Sequence, residues 1–187
     1  MKLYALMSKL PVASLLLAAA LCSTATVANS NDHSDSSFKV IGQGQYSYWF
    51  WDLYQARLFS SDGRFVDYQQ SVPLKLELTY QRDIKKQDFI DATMQQWKIQ
   101  QGKLDKKHKV WAGELGTLWR DVNKGDTLTA VLRADGLVDF YFNNKLLGRT
   151  SDPAFGSAFF DIWLSEKTTA PELRSQLLAL GQDNTSG

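Results

Sequence analysis

Residues 42–59 read GQGQYSYWFWDLYQARLF, and the reading of this stretch decides the fold. Three tyrosines, two tryptophans and two phenylalanines crowd around a single arginine, Arg57. Two glycines open the run, and Ser60-Ser61-Asp62-Gly63 closes it with an Asp-Gly turn signal. Aromatic side chains favour the pleated, half-buried surface of a strand, so the run predicts one long β-strand. Alternation along it puts Tyr46, Tyr48 and Tyr54 on one face with Phe50 and Asp52, and Arg57 on the other with Trp49, Trp51 and Phe59. A face carrying hydroxyls and a carboxylate, backed by an arginine that needs a charged or strongly polar partner, is a candidate cavity wall. Core packing accounts for the same aromatics, and both readings stay open at this point.

Beyond the aromatic run, residues 72–81 alternate, with Leu74, Leu76, Leu78 and Tyr80 on one side and Lys75, Glu77, Thr79 and Gln81 on the other. That is a strand with one wet face. The period then changes: Asp83 is placed to cap a helix over residues 84–100, with Ile90, Met94 and Trp97 on one stripe. Gly102 ends it, and residues 105–119 form a second helical stretch. Turns at residues 123–126, 134–136 and 143–144 divide a meander of strands over residues 127–133 and 137–142 and a short one through Leu147. Asp152 and Pro153 open a helix bearing Phe155, Phe159 and Trp163, and Thr169-x-x-Glu172 has the form of a capping box before Leu173 and Leu177. The order implies an α+β fold, an antiparallel sheet with helices gathered on one face.

Residues 1–30 read as a secretory signal peptide: Lys2 and Lys9 precede an apolar run from Val12 to Leu21, with cleavage expected after Ala28 or Ser30. The stretch is too short and wrongly flanked for a membrane anchor. Residues 31–37 read as a disordered leader, 38–181 as one domain and 182–187 as a flexible tail. Two of the 21 basic residues and none of the 20 acidic ones fall in the signal, so the remainder is nearly neutral and offers no basic surplus to nucleic acid. Cys22, the single cysteine, leaves with the signal, so neither a disulfide framework nor a thiol nucleophile is expected. These features suit a periplasmic location.

Catalytic and metal motifs are sparse. Of the two histidines, His33 lies in the leader and His108 in a lysine-rich run read as a solvated face, so no metal or other cofactor is expected. No Gly-x-Ser-x-Gly elbow occurs. Gly42-Gln43-Gly44 lacks the remainder of a dinucleotide fingerprint and is read as a turn or bulge.

The glycine pair, the strand ending FWDLYQARLF, the segment VPLKLELTYQRDI, the hairpin GDTLTAVLRADGLVDFYFNNKLLG and the closing DPAFGSAFFDIWLSEKTTAPELR together resemble the chalcone isomerase-like family, in its secreted bacterial branch. The resemblance spans residues 38–180 and implies an open-faced β-sandwich, a large antiparallel sheet with helices layered over it and a ligand cleft between. It also implies where chemistry would sit. The isomerase arginine and threonine fall at Tyr46 and Tyr54, and the helix tyrosine and asparagine at Phe89 and Gln96. All four are changed, and Phe89 offers no hydrogen bond to an enolate. Fatty-acid-binding members hold a carboxylate with an arginine and a tyrosine on this strand. Tyr54 matches the tyrosine, while Arg57 or Arg82 would have to stand in for the arginine.

The resulting expectation is a non-catalytic periplasmic binder of a fatty acid or other small amphipathic molecule, with Tyr46, Tyr48, Tyr54, Arg57 and Arg82 as ligand-binding residues. Two alternatives stand beside it: an isomerase or lyase that uses a tyrosine as acid, or a structural or partner-binding protein whose cleft is filled by its own aromatics.

Overall fold

A computed structural model describes residues 37–48 and 51–181; the expected signal peptide, residues 31–36 of the leader and the C-terminal tail lie outside the described residues. Among these, six strands form one antiparallel meander in the order β1 (Lys39–Tyr48), β2 (Trp51–Ser60), β3 (Leu74–Tyr80), β4 (Thr127–Leu132), β5 (Val138–Phe142) and β6 (Lys145–Arg149). Helices α1 (Lys86–Gln101) and α2 (Lys106–Leu118) connect β3 to β4, and α3 (Phe155–Leu164) and α4 (Pro171–Leu177) follow β6. This is the α+β, helix-on-one-face arrangement that the element order implied.

The core is drawn from one side of the sheet. Ala56 and Leu58 of β2, Leu74 to Tyr80 at alternate positions of β3, Leu128, Ala130 and Leu132 of β4, and Val138 and Phe140 of β5 are all buried beneath the helices. The odd-numbered positions face away. From the helices come Trp97, Trp111, Leu115, Phe155, Phe159 and Leu177, each at most 2% exposed. Trp97 and Trp111 meet edge to face at 5.4 Å, and each places its indole N–H on an acceptor, the Ala158 carbonyl at 2.8 Å and Asp152 Oδ2 at 2.9 Å. Buried indoles are tolerated because their single donor is satisfied.

Several local expectations are corrected. The run at residues 42–59 is a hairpin, not one strand: β1 ends at Tyr48, β2 begins at Trp51, and Tyr46 lies opposite Tyr54. A register shift then sets Asp52 against Ser47, which donates to it at 2.7 Å, so the carboxylate is exposed and separated from the tyrosines. Gly42 follows a bulge, but the glycine pair has a stronger cause. A Cβ on Gly42 would lie 2.1 Å from the Gln176 carbonyl oxygen, and one on Gly44 2.8 Å from Leu173 Cδ1. The two glycines let α4 settle directly on β1.

Asp83 does not cap α1; it accepts from the Lys124 amide at 2.9 Å, and the helix starts after Lys85 with no side-chain cap. Ile84 instead forms a bridge with Val122. The helical end of the chain is capped differently too, since Thr169 donates to Gln96 at 3.1 Å and the residue ahead of α4 is Ala170. His108 belongs to the core rather than to a solvated face. It is 1% exposed, packs against Trp97 and Trp111, and closes a capping box with Asp105. A lysine-rich neighbourhood conceals this, because the helix turns only that one residue of the run inward.

Candidate ligand site at the sheet–helix interface

Where the hairpin end of the sheet meets the helices, rings follow one another across the interface. Tyr46 stacks on Tyr54 at 5.2 Å, Tyr54 meets Tyr80 edge-on at 5.8 Å, and Tyr80 touches Phe89 of α1 at 4.9 Å. Phe89 meets Trp119 at 6.1 Å, and Trp119 contacts Phe140 and Phe159. Even positions of neighbouring strands supply the tyrosines, and the inward stripes of α1 and α3 supply their partners. The hairpin register therefore gathers Tyr46 and Tyr54, which sequence reasoning placed on one strand face; the expectation for the Tyr48 side chain lies outside the described residues.

The polar atoms in this layer are few. Trp163 Nε1 donates to the Tyr54 hydroxyl at 3.0 Å. Burial pushes the Tyr54 phenol well above its ordinary value, against the opposing hydrogen bond from Trp163, and burial does the same at Tyr80. Both phenols hold their protons throughout the physiological range, which suits a hydrogen-bond donor. Trp119, 6% exposed, has an indole N–H that meets no hydrogen-bond acceptor among the described residues, where the buried His108 Nε2 and Glu114 Oε2 likewise lack a partner. A buried donor left unmet costs about 1–3 kcal/mol. Sequence reading placed Trp119 only at the end of the helical stretch over residues 105–119; nothing in the sequence distinguishes it from the other tryptophans.

The arginines part company. Arg57 faces away from the helices, 3.4 Å from Glu77 and 4.8 Å from the centre of the Phe59 ring, with its side chain 46% exposed. It cannot serve a head group held between sheet and helices: strand alternation puts it across the sheet from Tyr54. Arg82 lies just past β3, its guanidinium 4.2 Å from the centre of the Trp51 ring, beside the hairpin end where Gln81 N–H donates to the Leu53 carbonyl. Of the positions that the isomerase would use, Phe89 is ring-packed and the Gln96 carboxamide is taken by Thr169. No three His, Cys, Asp or Glu side chains gather into a metal-binding group among the described residues, and no helix there is long and apolar enough to cross a membrane.

Comparison with known proteins agrees with this architecture. The crystal structure of an Arabidopsis thaliana fatty-acid binding protein superposes with a TM-score of 0.59 over 76% of this chain and 87% of that one, at 8% sequence identity. A likeness at that identity is one of fold. No curated protein sequence matches. The chalcone isomerase-like sequence profile matches residues 19–179, nearly the whole length, and with the six-stranded sheet under four helices it establishes that this chain belongs to the chalcone isomerase-like family.

Proposed function

We propose that this protein is a non-catalytic binder of a fatty acid or similar small amphipathic molecule, lodged between the sheet and the helices and working in the periplasm after removal of residues 1–30. The observation that carries this reading is the unmet Trp119 N–H in an otherwise apolar aromatic layer, in which the Tyr54 hydroxyl accepts from Trp163 and keeps its own proton to give. Two donors within an aromatic interface are the usual means of orienting one polar end of an apolar ligand. Tyr46 would flank that end, and Arg82 would add positive charge at the rim. The structural neighbour that binds fatty acids supports the ligand class.

An isomerase or lyase reading lacks a comparable support, because Phe89 and Gln96, at the positions of the family's helix tyrosine and asparagine, are engaged in ring packing and with Thr169. Native mass spectrometry of gently purified protein, followed by titration of the stripped protein with a fatty-acid panel, tests the proposal. Adduct masses of long-chain acids, and weakened binding in Tyr54→Phe and Trp119→Phe, are the expected result. Protein that is empty and binds no panel member leaves the aromatic layer as core alone. Cell fractionation with N-terminal sequencing tests the location, with a start at residue 29 or 31 expected.

A further inference from the structure

The side of the hairpin turned away from the helices carries a different surface. Register sets Gln43 opposite Arg57 and Gln45 opposite Gln55, and the same rows continue through Glu77 to Thr129 and through Thr79 to Thr127. Gln43, Gln45, Gln55 and Arg57 line an open depression of about 230 Å³, completed by Gly44 and Ala56. No acyl chain would be stable here, because the side chains that rise from this floor are carboxamides and a guanidinium.

Arg57 is the one charged side chain that lines the depression. Its partner Glu77, at 3.4 Å, also lies 4.0 Å from Lys75, and the Asp52 carboxylate, beyond the Gln45–Gln55 pair, is held by Ser47. Lys75 rests over the Phe59 ring at 4.2 Å, and Arg57 over the same ring at 4.8 Å. Phe59 thus fixes both cations while the long Arg57–Glu77 contact leaves guanidinium N–H groups to spare. Each carboxamide offers both a donor and an acceptor, the pairing that vicinal hydroxyls require.

We infer that the outer face of the β1–β2 hairpin is a second binding site, for a saccharide bearing a carboxylate, with the carboxylate on Arg57 and ring hydroxyls on Gln43, Gln45 and Gln55. The site lies across the sheet from the aromatic interface and does not depend on the lipid reading.

Titration of ¹⁵N-labelled protein with glucuronate, with glucose and acetate as separate probes, tests the assignment. Glucuronate is expected to shift the side-chain amides of the three glutamines and the Arg57 Nε signal. Glucose and acetate, each offering half of the recognition, should bind at least about tenfold more weakly. Arg57→Gln should weaken glucuronate about tenfold while leaving glucose unchanged, and Gln45→Ala, on an exposed strand position, reports the hydroxyl half without touching the ion pair. No shifts at the hairpin with glucuronate, acetate binding as well as glucuronate, or Arg57→Gln binding glucuronate normally would each overturn the site.

Discussion

The two faces of the β1–β2 hairpin share every backbone hydrogen bond and differ in everything else. On the inner face Gly42 and Gly44 yield to α4, and Tyr46 and Tyr54 stack into the aromatic layer. One residue along in each case, Gln43, Gln45, Gln55 and Arg57 stand in water. The difference teaches that side-chain alternation, more than composition, divides this hairpin between Gly42 and Arg57 into a packing surface and a polar one.

The sharpest way to break that division lies on β5, where neighbours point opposite ways. Phe140→Ala removes a fully buried ring that contacts Trp119, Phe155 and Phe159, and should cost about 3–5 kcal/mol of unfolding free energy in urea. Tyr141→Ala, one residue on, should cost under about 1 kcal/mol; equal losses would show that both faces are packed. Gly44→Ala comes next, forcing Leu173 and Gln176 of α4 away from β1 for about 1–3 kcal/mol, whereas Gln45→Ala should leave the thermal midpoint nearly unchanged. Tyr54→Phe leaves Trp163 Nε1 without its acceptor and should cost about 1 kcal/mol, read by the same denaturation.

Two carboxylates sharpen the contrast with opposite pH signs. Asp139, on the outer face, is held below its usual range by the Arg149 hydrogen bond at 2.5 Å, with Arg133 adding a second at 2.8 Å. Its stabilising contribution is present above the unfolded value, near pH ~4, and is lost as pH falls through the lower folded value. Asp161, on α3, is pushed up by burial even as Tyr68 donates to it at 2.7 Å. Its contribution is full below the unfolded value and is lost as pH rises through the folded one. Asp139→Asn should therefore flatten the acid loss of stability, and Asp161→Asn should remove a small gain on acidification. Carboxyl-carbon NMR titration should place Asp161 above Asp139; coincident titration would remove the distinction.

Much of the fold was legible because β3 alternates strictly and the turns at residues 134–136 and 143–144 carry residues suited to positive φ: Gly136, Asn143 and Asn144 adopt it. The hairpin at residues 42–59 was not, since positions 49 and 50 are Trp and Phe rather than turn formers. Strand parity nevertheless put Tyr46 and Tyr54 together, because both lie at even positions on either side of the reversal. Parity also separated Arg57 from them, but whether its partner was a protein carboxylate or a ligand required knowing that Glu77 is its cross-strand neighbour. Trp119 was invisible as a binding residue. Its distinction is a missing acceptor, which is a property of packing and not of any local pattern.

The glycine notch on β1 receives a helix from the opposite end of the described chain. Gly42 and Gly44 lie within β1, while Leu173, Gln176 and Leu177 belong to α4, the last helix among the described residues. Closing so long a loop is slow compared with forming the local hairpins of the meander. On a ribosome, the first strand must therefore wait with its notch unfilled until α4 has been made, long after its own hairpin partner.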